Sequence, residues 1–142
     1  MSFLLDTNVV SEWVSPRPDA GVVRFLTDAD EDRLFLSVMT LAEIRFGIEK
    51  LKAGARRSRL EEWLGGELTD RFSGRILTVD AAVADTCGVL LARGCKAGKP
   101  PGTADALIAA TGMVHGLTIA TRNVGHFKPL AGGTHNPWRS ET

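Results

Sequence analysis

Short apolar runs alternate along the chain with longer segments in which apolar residues recur at helical spacing. Four of these runs predict strands: Phe3–Leu5, Leu34–Val38, Arg75–Val79 and Leu117–Thr121. Helices are predicted between them, and the segment from Ala81 to about Arg93 is one of these. Strands that are apolar on both faces and alternate with helices are typical of a mainly parallel sheet. The pattern therefore predicts an α/β sandwich.

Breaks in the pattern predict where these elements stop. Gly65 and Gly66 fall inside a helical stripe and are expected to interrupt it. The segment from Gly94 to Gly102, which contains two consecutive prolines, is predicted to be a loop, and the tail from Gly132 onward is predicted to be irregular. Because we find no linker and no internal repeat, residues 1–142 are expected to form one domain.

Charge and hydropathy exclude several broad classes. The 17 basic and 17 acidic residues give no net charge, so any affinity for nucleic acid must come from a local patch. No apolar stretch is long enough for a membrane span, and the N-terminus has no signal-peptide pattern. These features predict a cytoplasmic protein with no membrane association. Cys87 and Cys95 are eight positions apart, about 12 Å along a helix, which is too far for a disulfide.

Three carboxylates, Asp6, Glu43 and Asp105, each stand near the predicted start of a helix. A structural explanation exists for each of them. Asp6 or Thr7 can cap the first helix, and Thr40 with Glu43 fits the capping-box pattern. Asp105 follows a candidate Thr103 cap and favours the positive end of the helix dipole. Considered separately, none of the three requires a catalytic explanation.

A catalytic explanation becomes attractive if the three carboxylates meet. Asp6 and Glu43 follow consecutive strands, and Asp105 opens a helix too apolar to lie on the surface. Converging carboxylates repel one another unless they share a cation, and oxygen ligands suit Mg²⁺ or Mn²⁺. Such ions commonly serve phosphate chemistry. The spacing alone leaves both explanations open.

At these same residues the sequence resembles the PIN-domain family, and within it the VapC toxins of the FitB-like branch. Four segments carry the resemblance in family order: Leu4–Glu12, Leu36–Ile48, Thr103–Thr111 and Thr118–Asn123. The closing Asn136-Pro137-Trp138 also resembles FitB-like tails. The resemblance covers essentially the whole chain. It implies a three-layer α/β/α sandwich with a short, mainly parallel central sheet.

The resemblance also implies an activity. Relatives of this kind are Mg²⁺- or Mn²⁺-dependent endoribonucleases, toxins held inactive by a cognate VapB-type antitoxin and commonly homodimeric. It assigns Asp6, Glu43 and Asp105 to the catalytic metal site. It implies that Thr7 and Asn8 orient the first carboxylate or a metal-bound water. Thr121 and Arg122 would line the cleft floor, with Asn123 beside them. Arg122 is the candidate phosphate contact.

The sequence departs from the family pattern at one place. Many relatives have a fourth acid just after the Thr-Arg pair or three residues further on, where this chain has Asn123 and His126. A second metal is therefore in question. The alternative is a catalytically weakened PIN-like module that binds only RNA or protein. A flavodoxin-like phosphotransfer receiver would need an acid cluster beside the first strand, which the sequence lacks.

Two surfaces are candidates for macromolecular partners. The cations proposed to contact RNA are Arg45, Lys96, Lys99, Arg122 and Lys128. The apolar groove proposed for an antitoxin segment consists of Trp13, Phe46, Leu51 and Trp63, for which ordinary core packing is the alternative. The basic segment from Lys50 to Arg59 is either a solvated connection or a further contact patch.

Overall fold

In the part of the chain that the structure describes, five short strands form one parallel sheet at the centre of the fold. A computed structural model describes residues 1–130 and 132–138. The strands are β1 (Phe3–Leu5), β2 (Leu34–Ser37), β3 (Ile76–Leu77), β4 (Thr118–Ala120) and β5 (Thr134–His135). They lie in the order β3-β2-β1-β4-β5, and every pairing is parallel. The predicted α/β class and parallel sheet are confirmed.

Helices fill the connections between the strands. Their bounds are α1 (Thr7–Ser11), α2 (Ala20–Asp28), α3 (Val38–Glu49), α4 (Ala55–Glu62), α5 (Thr69–Arg71), α6 (Ala81–Lys96), α7 (Thr103–His115) and α8 (Val124–Phe127). Short 3₁₀ turns cover Glu12–Val14 and Glu31–Arg33. A π-helical turn, Trp63–Leu68, joins α4 to α5 and contains the glycine pair expected to interrupt this helix.

Alternating strand residues support a core on each face of the sheet. Leu5, Leu36 and Ala120 belong to a cluster with α1, α2, α3 and the π-helical turn. Leu4 and Ile119 belong to a second cluster with α6, α7 and α8. Because successive residues of a strand point to opposite faces, the two clusters lie on opposite sides of the sheet. The predicted three-layer α/β/α sandwich is therefore confirmed.

Two helix caps differ from the prediction. Ser37, not Thr40, caps α3, and its hydroxyl accepts a hydrogen bond from the Met39 N–H at 3.0 Å. Thr40 is inside the helix and fully buried, so the capping-box explanation of Glu43 was wrong. At α7 the cap is Gly102, and no side chain caps the helix. Both errors arose because a threonine stood within three positions of the true cap.

Three predicted boundaries also move. The tail is not wholly irregular, because Thr134–His135 adds the edge strand β5. The third strand covers only Ile76–Leu77 instead of the predicted Arg75–Val79, and Asp80 then caps α6. Helix α6 continues to Lys96, beyond its predicted end near Arg93. A strand of two residues is too short to show a period in the sequence.

The loop after α6 folds back onto the helix that precedes it. The Lys99 N–H donates to the Gly94 carbonyl at 2.9 Å, and Gly98 adopts a left-handed φ of 74°. A Cβ at Gly94 would lie only 2.3 Å from Cδ of Pro101. The absence of a side chain at Gly94 therefore allows this return of the chain.

Gly94→Ala is expected to destabilise the protein by about 1–3 kcal/mol, because the added methyl overlaps Pro101. Gly88→Ala, on the same helix, meets no atom within 4 Å and should stabilise by roughly 0.5–1 kcal/mol through lower backbone entropy in the unfolded chain. Urea denaturation of the two variants measures both changes. Equal shifts in the same direction would contradict the close packing at Gly94.

Other predictions concern the cysteines and the membrane. Both cysteines are free thiols, with Cys87 buried and Cys95 exposed. Burial raises the pKa of the Cys87 thiol, which favours its neutral form. Across residues 1–130 and 132–138, no helix combines the length and apolar character required to cross a membrane.

Candidate active site

Asp6 occupies the centre of the candidate site, at the carboxyl end of β1. Its backbone N–H donates to the Ala120 carbonyl at 2.9 Å, so β4 fixes its position. Oδ1 accepts from the Thr7 N–H at 2.8 Å, and Oδ2 accepts from the Thr121 hydroxyl at 2.8 Å. The residue is only 5% exposed. Asp6 thus caps α1, as its structural explanation required, and also lies where open α/β sheets bind ligands.

The surroundings of Asp6 disfavour its negative charge. Burial is the main cause, and it raises the pKa of the carboxyl above the ordinary value of 3.8. The hydrogen bonds from Thr121 and Thr7 lower this pKa, whereas the nearby carboxylates of Asp105 and Glu43 raise it. A positive charge at this position would relieve both the repulsion and the cost of burial.

Glu43 reaches the site from α3. Its Oε1 accepts a hydrogen bond from the Thr7 hydroxyl at 2.7 Å. Thr7 therefore contacts two carboxylates, through its backbone N–H to Asp6 and through its side chain to Glu43. The adjacent parallel strands β1 and β2 bring the two carboxylates together, because each strand ends directly before its helix.

Asp105 enters from the first turn of α7, whose following residues are buried in the core. Its side chain remains 32% exposed, and Oδ2 lies 3.6 Å from Nδ1 of His126. The buried face of α7 thus fixes the position of the helix start, while the carboxylate faces solvent and α8. The contact with His126 was not predicted from the sequence.

The segment after β4 closes the remaining side of the site. The Arg122 N–H donates to Asn8 Oδ1 at 3.3 Å, and the Asn123 N–H donates to the Thr121 hydroxyl at 3.0 Å. Since the Thr121 oxygen accepts from Asn123, its proton is directed toward Asp6. The Arg122 guanidinium lies over the Trp138 ring, 5.4 Å from its centroid. Of the five predicted cleft residues, Thr7 and Thr121 contact Asp6 directly, whereas Asn8, Arg122 and Asn123 are connected to it through the segment after β4.

The donor chemistry of the site fits a hard divalent cation. Carboxylate oxygens are the ligands that Mg²⁺ prefers, and no described lysine or arginine forms an ion pair with any of the three acids. Within the described residues, however, no three His, Cys, Asp or Glu side chains are grouped closely enough to hold one metal ion. Glu43 is engaged by Thr7 and Asp105 by His126, so an ion would have to draw both side chains toward Asp6.

A cavity of about 430 Å³ opens from the site between α1, α3 and α4. Thr7 and Glu43 line its inner end, and Leu51 and Trp63 line its apolar part. We name it the α3 groove. Of the other two predicted groove residues, Phe46 is 65% exposed, which excludes core packing for it, and Trp13 packs against Phe72 away from this cavity.

Comparison with known proteins agrees with this arrangement. The sequence pattern of the PIN domain matches residues 3–132, which include all three carboxylates. The chain belongs to the PIN-domain family. The resemblance stated from the four sequence segments is therefore confirmed.

Individual relatives of this PIN domain match over nearly their full length. It is 37% identical to VapC ribonuclease Y4jK of Sinorhizobium fredii, covering 95% of this chain and 96% of that protein. It is 38% identical to Toxin FitB of Neisseria gonorrhoeae, covering 95% of this chain and 97% of that protein. The crystal structure of FitAcB from Neisseria gonorrhoeae superposes with a TM-score of 0.90 at 38% identity, covering 96% of this chain and 99% of that chain.

Proposed function

We propose that this PIN domain is the toxin of a toxin–antitoxin pair and that it hydrolyses RNA phosphodiester bonds with Mg²⁺ or Mn²⁺. The proposal rests on the buried carboxylate of Asp6. Its negative charge is made still less favourable by Asp105 and Glu43. Similarity to a VapC ribonuclease and to Toxin FitB supports it. The proposal treats residues 1–142 as one domain that acts in the cytoplasm as a homodimer.

Asp6, Asp105 and Glu43 are the residues that would hold the metal. When bound, the ion would polarise the phosphoryl oxygens and lower the pKa of a coordinated water. Thr121 and Thr7 orient Asp6 and favour its ionised form by donating to its two oxygens. Glu43 is held at Oε1 by Thr7, which leaves Oε2 to accept a proton from the attacking water.

The segment that follows β4 would contribute to substrate binding. Asn8 fixes the backbone of Arg122, and we assign the Arg122 guanidinium to a phosphate of the RNA. Asn123, at one of the usual positions of a fourth acid, brings a side-chain amide without charge. The proposal therefore assigns ligands to one metal ion.

The activity is tested by incubating the purified, antitoxin-free protein with a panel of structured RNAs while Mg²⁺ or Mn²⁺ is titrated. Cleavage that depends on the ion and stops with EDTA is the expected result. Thermal stabilisation by the ion without cleavage would mean that the RNAs were unsuitable substrates. Neither cleavage nor stabilisation would favour the catalytically weakened binding module.

We also assign the α3 groove to the antitoxin. A segment in this groove would lie against Thr7 and Glu43 and so prevent substrate access. The apolar Leu51 and Trp63 would contact the apolar face of such a segment.

Gly47→Leu tests this assignment, because Gly47 lines the groove and a Cβ there meets no atom within 4 Å. The larger side chain should fill the groove without straining the fold and weaken antitoxin binding by at least about tenfold, which corresponds to 1.4 kcal/mol. Co-purification with the product of the upstream open reading frame measures the change. Gly88→Leu is the matched control on α6, and equal loss of binding in both variants would reject the assignment.

A further inference from the structure

A second cavity opens on the other side of Asp105, and nothing in the proposed mechanism uses it. Its volume is about 480 Å³, within the range of small-molecule sites. It lies between the end of α6, the loop over residues 97–102, the start of α7 and α8. Because Pro100, Pro101 and Pro129 all line it, we name it the proline pocket. We propose that the proline pocket binds one nucleotide of the RNA strand, next to the bond that is cleaved.

The walls of the proline pocket suit the flat face of a base. Its three prolines present rigid rings, and Leu130 adds an apolar side chain from the core. Bases bind proteins through their faces on apolar or aromatic surfaces, largely without regard to sequence, and gain specificity from a few polar groups. Asp105 and His126 supply those polar groups at one edge.

The charges around the pocket suit the phosphate that accompanies a base. Arg93 and Lys99 line the cavity, and Asp105 is the single acid that does so among the described residues. Neither of the two cations forms an ion pair within the part of the chain that the structure describes. Apolar walls with two available cations match a nucleotide, which has an apolar face and an anionic group.

The position of the proline pocket favours the RNA strand over an antitoxin segment as its occupant. Asp105 belongs both to the proline pocket and to the carboxylates around Asp6, so a nucleotide there would be continuous with a strand crossing the site. The α3 groove opens instead beside Thr7 and Glu43 and shares no lining residue with the proline pocket. The proposal rests on the proposed ribonuclease activity, for which it names a substrate subsite.

The pocket is built by the fold and does not depend on side chains moving into place. The return of the chain at Gly94, with the hydrogen bond from the Lys99 N–H, fixes the wall that contains Pro100 and Pro101. On the opposite side a Cβ at Gly125 would meet no atom within 4 Å. A side chain can therefore be added at Gly125, which lines that side of the pocket, without meeting another atom.

Gly125→Leu fills the proline pocket and tests the proposal. In the Asp6→Asn background, which removes cleavage, binding of a fluorescein-labelled oligoribonucleotide is followed by fluorescence anisotropy. Gly125→Leu should weaken binding by about tenfold, and Gly88→Leu, an exposed helical glycine outside the pocket, should leave binding unchanged. In the active enzyme, Gly125→Leu should also change which bonds of the RNA are cut.

The base preference of the pocket is measured with uridine, cytidine, adenosine and guanosine 5′-monophosphates as probes. NMR shifts at Gly102 and Gly125 of the wild-type protein should show which base binds.

A pair of charge variants tests the phosphate contact separately. Lys99→Gln removes a cation that lines the pocket, and Arg24→Gln removes one positive charge from the exposed side of α2, on the opposite face of the sheet. Lys99→Gln should reduce the slope of log affinity against log salt by about one and weaken binding more than Arg24→Gln. Equal effects of the two variants would contradict a specific contact in the pocket.

Other results would overturn the proposal. Folded Gly125→Leu that binds RNA and selects cleavage sites like wild type excludes a nucleotide in the pocket. Loss of antitoxin binding or a changed oligomeric state, with RNA binding unchanged, would assign the pocket to a protein partner instead. If wild type neither cleaves RNA nor is stabilised by the ion, the proposed activity fails, but the anisotropy comparison still decides whether the pocket binds a nucleotide.

Discussion

Asp6→Asn is expected to lower the rate of metal-dependent RNA cleavage by about three orders of magnitude. Metal ions commonly provide several kcal/mol of transition-state stabilisation, and each 1.4 kcal/mol corresponds to a factor of ten in rate. Asp6 is the most buried of the three carboxylates, and the neighbouring acids raise its pKa. Removing its charge therefore removes the group that gains most from a bound cation.

The same substitution should leave the fold intact. An asparagine oxygen can accept from the Thr7 N–H, and its amide group can donate to the Thr121 oxygen, which has a second lone pair. Single-turnover cleavage of a labelled RNA gives the rate, and circular dichroism reports the fold. Asp19→Asn is a matched control, since Asp19 also caps a helix through its side chain but lies outside the site.

Two outcomes would contradict the assignment of Asp6. Cleavage by Asp6→Asn at a rate near that of wild type would mean that the reaction does not depend on this carboxylate. Equal loss of activity in Asp19→Asn would indicate that the assay reports helix capping. Loss of activity in Asp6→Asn alone would place the chemistry at the end of β1.

The sequence was sufficient for the part of the site that depends on backbone topology. Parallel strands end at one edge of a sheet, so Asp6, directly after β1, and Glu43, in the helix that follows β2, were expected to lie near each other. Helix α7 was predicted to be buried because its residues are almost all apolar. These two features account for the approach of Asp6, Glu43 and Asp105, which spacing alone could only suggest.

Side-chain directions and the packing of the loop after α6 against that helix could not be predicted from the sequence. The hydrogen bond from the Thr7 hydroxyl to Glu43, and the approach of His126 to Asp105, depend on side-chain rotamers that no periodicity encodes. The proline pocket depends on Pro101 passing close to Gly94, a tertiary contact between residues in a segment predicted only as a loop. Thr40 illustrates the opposite error: Thr40 and Glu43 matched the capping-box motif, but Ser37 caps the helix.

Divalent cations are expected to raise the free energy of unfolding by about 2.7 kcal/mol when their concentration is one hundred times the dissociation constant. The cation binds the folded site, in which burial and two neighbouring acids oppose the charge of Asp6. Asp6→Asn should abolish most of this stabilisation, and Asp19→Asn should retain it. Urea denaturation with Mg²⁺, Mn²⁺ or EDTA measures the difference without any RNA substrate.

The pH dependence of stability in EDTA should identify Asp6 as the group responsible. Its pKa is raised in the folded protein, so the folded state holds the proton more tightly than the unfolded chain does. The contribution of Asp6 to stability is therefore most favourable at low pH and is lost as pH rises from the ordinary value of 3.8 through the raised folded pKa.

Because Asn cannot ionise, the Asp6→Asn variant should lack this loss and be more stable than wild type at neutral pH without metal. Saturating Mg²⁺ should reverse that order, since the ion stabilises only the charged site. A wild-type protein that stays more stable than Asp6→Asn in EDTA at neutral pH would show that the fold already stabilises the charged carboxylate, which would remove the electrostatic basis for a cation at this position.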